Sequence, residues 1–295
     1  MKTILITGGN GMTAKRLTEM LVSKNYQVRL LSRQKKPGYF YWNPDEKTID
    51  ETVFENLDAI IHLAGATISK RWTAAYKKEL YESRINTADL LLDRLQKNNV
   101  KIKTMISASG VNYYGTKTTP KIFSENDKSS DDFLGNLCKE WEAAAFNFEK
   151  TGARVCTVRT AVILSEKGGM LKKILPLAKK NMLSALGSGK QIVPWIHIDD
   201  LCRLYIHLLE NPELNGAFNA AASQITDSNT FNRILNEALN KKTILPNVPG
   251  FVLRLIFGET AGIMLNGSAV SNQKIKDTGF RFEFDELKKA FQDLS

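Results

Sequence analysis

The chain has few of the residues that build disulfide frameworks and metal sites. Of its 295 residues only three are cysteine and three are histidine. The cysteines, Cys138, Cys156 and Cys202, are scattered and form no CxxC pair. This pattern argues against a structural zinc site and is typical of reduced thiols in a cytoplasmic protein. We therefore expect a cytoplasmic location and no metal.

Long apolar runs are absent as well. No run reaches the length that crosses a bilayer, so we expect no membrane span. Lys2 is followed almost at once by a short apolar segment and a glycine turn, which does not resemble a signal peptide. The contents of 43% hydrophobic and 24% charged residues are typical of a globular protein with ample core.

The formal net charge of +10 raises the question of nucleic-acid binding. Lysine and arginine are nevertheless interleaved with acids, as in the segments KKELYESR and EFDELKKA. Spread charge of this kind favours solvated helix faces and attraction to an anionic cofactor. We therefore rank nucleic-acid binding last among the functions considered.

The first residues carry the clearest functional signal. An apolar β-branched run, residues 2–7, leads into a glycine turn, residues 8–11, and a helix follows with apolar residues at helical spacing. Glycines let the backbone approach a pyrophosphate, and a helix N-terminus attracts its charge. The sequence predicts a dinucleotide-binding turn in the pattern G-x-x-G-x-x-A. The residues expected to contact the cofactor here are Thr7, Gly8, Asn10, Gly11, Met12 and Thr13.

The end of the second strand, Gln27–Leu31, indicates which dinucleotide is bound. Folds that bind the adenine ribose 2′-hydroxyl place an acid here, whereas this chain has Ser32 and Arg33, with two lysines just beyond. A guanidinium suits a 2′-phosphate. We therefore predict NADP(H) rather than NAD(H), and favour this role over an ordinary surface arginine.

Further strands alternate with helices, which predicts an α/β fold with a parallel sheet. A third strand is expected over Asp58–Leu63 and ends at Ala64 and Gly65, a small pair that lets a ligand lie against the backbone. His62, within that strand, is predicted to be packed. A long helix is expected over Thr73–Lys97, with Thr73 as its N-cap, and another over Asn136–Lys150. The remaining predicted cofactor residues are Leu63, Ala64, Gly65 and Thr160.

Several segments together resemble one known family. They are ITGGNGMTA, DAIIHLAG, SASGVNYYG, RTAVIL and PWIHIDDL. They resemble the extended short-chain dehydrogenase/reductase family in its NAD(P)-dependent epimerase/dehydratase branch. The segments RWTAAYKKELYESRINT, DDFLGNLCKEWEAAA, LGSGKQIVPWIHIDDL and GFRFEFDELKKAF resemble, within that branch, a subfamily of uncharacterised nucleoside-diphosphate-sugar-epimerase-like proteins with its own C-terminal domain.

The resemblance implies a Rossmann-type parallel sheet and a smaller C-terminal substrate lobe. The expected Rossmann domain comprises residues 1–165 and 195–222, and the lobe comprises residues 166–194 and 223–295. The implied chemistry is hydride transfer at a sugar or related carbon. A tyrosine serves as acid/base, a lysine four residues later lowers its pKa, and a serine on the preceding strand holds the substrate oxygen.

Ser109 matches the family's serine, but the tyrosine is missing. Four residues before Lys139 stands Gly135, and four before Cys138 stands Leu134. Two interpretations stay open. In the first, Tyr113 or Tyr114 supplies the phenol, with Lys139 or the cofactor charge lowering its pKa. In the second, tyrosine-based chemistry has been lost and the cofactor serves as a ligand.

The sequence thus predicts an NADP(H)-binding oxidoreductase or epimerase that acts on a small polar or nucleotide-sugar-like molecule. The alternative is a non-catalytic NADP(H)-binding regulator or scaffold. We expect a monomer or a homodimer. The candidate catalytic residues are Ser109, Tyr113, Tyr114 and Lys139.

Overall fold

The computed structural model describes residues 1–242 and 245–294. The strands are β1 (Thr3–Thr7), β2 (Gln27–Ser32), β3 (Tyr39–Asn43), β4 (Thr48–Ile49), β5 (Ala59–His62), β6 (Thr104–Gly110), β7 (Ile122–Phe123), β8 (Arg154–Thr160), β9 (Val162–Leu164), β10 (Trp195–His197), β11 (Gly216–Ala220) and β12 (Ala269–Val270). The lobe range 223–295 predicted above includes residues 243, 244 and 295, which lie outside the described residues.

The α-helices are α1 (Met12–Ser23), α2 (Ala74–Glu82), α3 (Ile85–Lys97), α4 (Phe133–Phe146), α5 (Gly169–Lys179), α6 (Ile198–Glu210), α7 (Ser228–Ala238), α8 (Gly250–Phe257), α9 (Gly262–Leu265), α10 (Gln273–Asp277) and α11 (Leu287–Leu294). Short 3₁₀ helices cover Glu51–Phe54, Val111–Tyr114, Asn147–Thr151 and Gly258–Ala261.

Eight strands form the central sheet in the order β11-β8-β6-β5-β1-β2-β3-β4. All neighbouring pairs are parallel except β3 with β4, which is antiparallel. Thr7 lies opposite Leu31, and Ser109 lies opposite Arg159. The carboxyl ends of the parallel strands therefore meet along one edge, which is where such sheets bind ligands. The predicted α/β, Rossmann-type fold is confirmed.

Helices cover both faces of this sheet, which explains why β1 and β5 are apolar runs with every residue buried. On one face α1 and α6 pack through side chains such as Leu17 and Leu204. On the other face α3 and α4 pack through side chains such as Leu91 and Ala145. The central strands are therefore held by hydrophobic burial from both sides.

The helix predicted over Thr73–Lys97 is two helices, and the single-helix prediction was wrong. Thr73 caps α2 as predicted, accepting the Tyr76 N–H at 3.1 Å. The chain then leaves helical geometry at Arg84, which has φ −112° and ψ −53°. The Arg84 side chain donates back to the Leu80 carbonyl at 3.0 Å, which stabilises the junction between α2 and α3.

The start of a second predicted helix also differs. The helix expected over Asn136–Lys150 begins at Phe133, because Asp132 caps it by accepting the Gly135 N–H at 2.8 Å, and it continues as a 3₁₀ turn from Asn147. Before α6 the N-cap is His197, which accepts the Asp199 N–H.

The C-terminal region is largely helical. Its apolar residues, among them Leu171, Phe231, Leu235 and Phe291, form a cluster that joins α5, α7 and α11. Strand β12 pairs in parallel with β7. Among residues 1–242 and 245–294, no helix is long and apolar enough to cross a membrane.

Candidate functional site

The glycine turn packs tightly against the neighbouring strand. Gly8 has φ +67°, and a Cβ there would lie 2.9 Å from the Leu63 carbonyl oxygen, so a larger residue would be both strained and obstructed. The Gly11 N–H donates to the Gly8 carbonyl at 2.8 Å and closes the turn. The backbone at this point therefore lies at the carboxyl edge with no side chain between it and a ligand.

Helix α1 begins directly after this turn, with Gly11 as its N-cap. No side chain caps the helix and its first turn contains no acid. Its leading N–H groups and the positive end of its dipole are thus free to bind an anion. Met12 and Thr13, in the first turn, are partly exposed. This arrangement fits the pyrophosphate of a dinucleotide.

A basic group surrounds the end of β2, beside the turn. The Asn10 Nδ2 donates to the Ser32 hydroxyl at 2.8 Å, and the Lys36 ammonium donates to the Asn10 Oδ1 at 3.2 Å. Arg33 is exposed and has neither a hydrogen bond nor an ion pair with any described residue. Its guanidinium is therefore available to an external anion, as a 2′-phosphate would require.

Thr7 holds the end of β5 beside the glycine turn. Its hydroxyl accepts the N–H groups of Leu63 and Ala64, both at 3.0 Å, and lies 2.9 Å from Nδ1 of His62. Because both lone pairs are used, the hydroxyl proton goes to His62, whose proton is then on Nε2, facing the Arg84 carbonyl. Burial lowers the pKa of His62 to about 4. The predicted packing of this histidine is confirmed.

The segment after β9 lies over the start of α1. A Cβ at Gly168 would be 2.6 Å from the Met12 sulfur. A cleft of about 360 Å³ opens at this contact, lined by Asn10, Met12 and Arg16 and, across from them, by Ser165. The segment that follows β9 thus forms a second wall of this cleft, across from residues 10–16. Thr160, at the end of β8, is partly buried and donates to the Val158 carbonyl at 3.2 Å.

Ser109 belongs to a buried polar network. Its hydroxyl donates to Glu142 at 2.7 Å, and Glu142 receives two bonds from Arg159, each at 2.8 Å. Arg159 also donates to the Tyr114 hydroxyl at 2.9 Å, which in turn donates to Asn219 at 2.8 Å. Because the single proton of Ser109 is directed to Glu142, its hydroxyl can only accept a hydrogen bond from a ligand.

The two tyrosines differ in their surroundings. Tyr114 is 6% exposed and its ring stacks on Phe123 at 5.1 Å between centroids, and burial raises its pKa to about 12. Tyr113 is partly exposed, and the Arg159 guanidinium lies 3.5 Å from its ring centroid. Its hydroxyl forms no hydrogen bond with a residue of the described chain. Of the two phenols, that of Tyr113 is therefore the available one.

The structure does not bring Lys139 to this network. Lys139 is exposed and has no hydrogen bond or ion pair with a described residue. Cys138 is the inward residue, since its sulfur would lie 3.7 Å from a Cβ on Gly110. Burial raises the pKa of the Cys138 thiol to about 12, so it is not a reactive thiolate.

The residue four positions before Cys138 is apolar, and the residue four positions before Lys139 has no room for a side chain. Leu134, before Cys138, packs in a cluster with Tyr76 and Leu80. Gly135, before Lys139, has no room for a side chain, because a Cβ would lie 2.2 Å from the Ser130 carbonyl oxygen. On the side of α4 that faces Ser109, this chain therefore has Leu134 and Cys138 at the positions where the family described above has tyrosine and lysine.

Three buried charged residues around this edge, Glu142, Arg159 and Arg84, were not predicted from the sequence. Glu142 and Arg159 lie on different elements and meet only in the fold. Arg84 lies behind Gly65, where a glycine Cβ would be 3.1 Å from its Cζ. Gly65 itself is exposed at the carboxyl end of β5, beside Ala64, which is buried, and Leu63, which is partly buried.

Comparison with known proteins agrees with this architecture. The sequence model of the NAD dependent epimerase/dehydratase family matches residues 4–221. The chain belongs to this family. A second match, to a domain of unknown function (DUF1731), covers residues 248–294, which include helices α8 to α11. The family resemblance and the separate C-terminal domain predicted from the sequence are thus confirmed.

Individual family members align over nearly the whole chain. It is 32% identical to the chloroplastic epimerase family protein SDR39U1 homolog of Arabidopsis thaliana, over 98% of this chain and 86% of the relative. It is 33% identical to an epimerase family protein of Staphylococcus haemolyticus, over 100% and 99%. The solved structure of human epimerase family protein SDR39U1 with NADPH superposes with a TM-score of 0.89 at 30% identity, covering 99% of this chain and 98% of the human one.

Proposed function

We propose that the protein is an NADP(H)-dependent oxidoreductase or epimerase that acts on a small polar or nucleotide-sugar-like substrate. The observation that carries this proposal is the uncapped N-terminus of α1 beside the unpaired Arg33, in a basic setting with no acid at the end of β2. The presence of NADPH in the similar human structure supports the choice of cofactor.

The residues divide into two binding regions along the carboxyl edge. Arg33 and Ser32 would hold the adenosine 2′-phosphate, and the turn from Gly8 to Thr13 would hold the pyrophosphate. The nicotinamide half would then extend toward the ends of β5 and β6, past Leu63, Ala64 and Gly65, with Thr160 at the far side. When bound, the cofactor supplies or accepts a hydride.

Ser109 would orient the substrate. Since its proton goes to Glu142, it would accept a hydrogen bond from a substrate hydroxyl, and Arg159 would hold Glu142 in place. Tyr113 is the phenol that remains for proton transfer, and the Arg159 guanidinium, 3.5 Å from its ring centroid, would hold the ring in place. We assign no proton-transfer role to Tyr114, because it is buried, or to Lys139, because it is exposed.

We further propose the division into a Rossmann domain, residues 1–165 and 195–222, and a substrate lobe, residues 166–194 and 223–295. A separate apolar cluster around Phe231 and Phe291 supports the lobe. The substrate would bind between the two, and the epimerase family suggests a nucleotide sugar or a small carbonyl compound. A thermal-shift screen of both classes with NADPH present would identify it.

The cofactor assignment is tested by Arg33→Ala. We expect the Kd for NADPH to rise about tenfold or more, because a charge-assisted hydrogen bond to phosphate is lost, and the Kd for NADH to stay unchanged. Lys101→Ala is a matched control, an exposed cation just before the amino end of β6. Equal NADPH and NADH affinity in the wild type, or equal losses in Arg33→Ala, would refute the assignment.

A second candidate function is a regulator that binds NADP(H) without turnover. The observation that favours it is the inward pair Leu134 and Cys138, which cannot transfer a proton as tyrosine and lysine do. Tyr113→Phe separates the two functions. If the variant keeps NADPH affinity and loses turnover of a substrate found by the screen, the protein is an enzyme. If NADPH binds and no compound of either class is turned over, the regulator is favoured.

A further inference from the structure

Arg84 is a buried cation without an acidic partner. It is 7% exposed, and its guanidinium donates to two backbone carbonyls, Leu80 at 3.0 Å and Ala66 at 2.8 Å, and to the Ser83 hydroxyl at 3.4 Å. No ion pair with Arg84 occurs in the described part of the chain, and burial lowers its pKa because the charge loses hydration. By contrast Arg159, equally buried, has the bidentate carboxylate of Glu142. A charge left in this state is costly unless an anion or oxygen ligand completes its hydrogen bonds.

The position of Arg84 is at the carboxyl edge. Its guanidinium lies directly behind the exposed Gly65, and the Trp141 ring centroid is 4.8 Å away on α4. The Trp141 indole N–H is itself buried and has no described hydrogen-bond partner. The Arg84 Nε–H, which has no partner among the described residues, and the Trp141 indole N–H therefore lie near each other beneath the loop that follows β5.

The lysine that the family has on this helix is missing close to Arg84. The inward residue on α4 is Cys138, whose burial leaves it an uncharged thiol. Trp141, whose ring lies against the Arg84 guanidinium, is three residues after Cys138 on α4, about one helical turn away. The chain thus lacks an ammonium on α4 but places a guanidinium beside the same part of this helix from the junction between α2 and α3.

The order of the strand ends indicates which part of the cofactor lies nearby. Arg33 follows β2, the glycine turn follows β1, and Gly65 and Ser109 lie at the ends of β5 and β6 on the opposite side of β1. A dinucleotide whose 2′-phosphate binds Arg33 and whose pyrophosphate binds the turn must extend its second ribose toward Gly65.

We propose that Arg84 is a cofactor-binding residue that contacts the hydroxyls of the nicotinamide ribose and supplies the positive charge that the missing lysine would provide. This inference rests on the proposed NADP(H) function. It assigns to Arg84 a ligand role besides its support of the α2–α3 junction. Arginine donors are well suited to this, since two N–H groups can bind two neighbouring oxygens at once.

The test compares NADPH with adenosine 2′,5′-bisphosphate, which has the 2′-phosphate end and lacks the nicotinamide ribose. Calorimetry gives both Kd values for the wild type and for Arg84→Gln. We expect the Kd for NADPH to rise about 10-fold to 100-fold, as for loss of a charged hydrogen bond, and the Kd for the bisphosphate to change less than twofold. Arg33→Ala should weaken both ligands.

Two variants control for structural effects. Arg94→Gln removes another arginine that holds backbone and carboxylate groups near α3, and it should leave the ratio of the two Kd values unchanged. The double variant Arg84→Gln with Cys138→Lys restores a cation from α4, and it should recover NADPH affinity to within about fivefold of the wild type.

The outcomes separate this inference from the proposed function. If the wild type binds both ligands and Arg84→Gln weakens neither, or weakens both equally, Arg84 is a structural residue and the inference is overturned while the cofactor assignment stands. If the wild type binds neither ligand, both fail. If Arg84→Gln does not fold, the inference is tested by the nuclear magnetic resonance signal of the Arg84 Nε–H in the wild type. This signal should shift when NADPH is added and stay unchanged when the bisphosphate is added, and any other result overturns the inference.

Discussion

Replacing Glu142 by glutamine tests the buried network at its centre. The side chains of Glu142 and Arg159 are only 6% and 4% exposed, and their two hydrogen bonds are both 2.8 Å long. Glutamine keeps the shape, but its amide N–H groups face those of Arg159, which is left charged and unpaired. Breaking such a pair costs about 3–5 kcal/mol. For a chain of this length, at about 1.5–2 °C per kcal/mol, Tm should fall by about 5–10 °C.

Differential scanning calorimetry measures this change, and Glu210→Gln provides the matched control. Glu210 pairs with Lys24 at 3.0 Å, but the two side chains are 36% and 50% exposed. Water screens this pair, so its loss should cost less than about 1 kcal/mol. If Glu142→Gln lowers Tm no more than Glu210→Gln does, the argument that burial makes the first pair indispensable is wrong.

Two further predictions concern packing and pH. Gly135→Ala should lower the free energy of unfolding by about 1–3 kcal/mol in urea, because the new Cβ would collide with the Ser130 carbonyl. The control is Gly262→Ala, which should be neutral or slightly stabilising, because Gly262 has helical φ −55° and a Cβ there meets no atom within 4 Å. Equal effects of the two substitutions would contradict this prediction. His62 has its pKa lowered to about 4 in the folded state against 6.5 unfolded, so the unfolded state binds the proton first as pH falls. Stability present above pH 6.5 should decrease by about 3 kcal/mol down to pH 4, and urea titrations should show this slope reduced in His62→Gln.

The main elements of the fold were predictable because each carries a local signal. The strand before Gly8 is a short, buried, largely apolar run, the turn contains glycines, and Thr73 caps α2 by accepting the Tyr76 N–H at 3.1 Å, as predicted. The break at Arg84 was missed because the helical pattern of apolar residues continues across it. Helix α2 ends where the Arg84 side chain donates to the Leu80 carbonyl of the same helix, and the periodicity of apolar residues does not indicate such a bond.

The positions of the glycine turn and Arg33 were predictable for the same reason, since both are contiguous with the strands that position them, and their role in cofactor binding stays a prediction. The buried charged residues near Ser109 were not predictable. Glu142 and Arg159 are 17 residues apart on a helix and a strand, and each alone resembles a solvent-exposed charge. Arg84 likewise falls in a charged segment, and only the fold brings it behind Gly65.

The hydrogen bonds that begin at Ser109 end on a backbone carbonyl of the C-terminal region. They run through Glu142, Arg159 and Tyr114 to Asn219, whose amide donates to the Ser271 carbonyl at 2.9 Å. In such a chain the loss of one member leaves the next with an unmet bond, so the effects of substitutions are not additive. Over evolutionary time these positions are therefore expected to change together: a relative without the carboxylate at 142 is expected to lack the arginine at 159 as well.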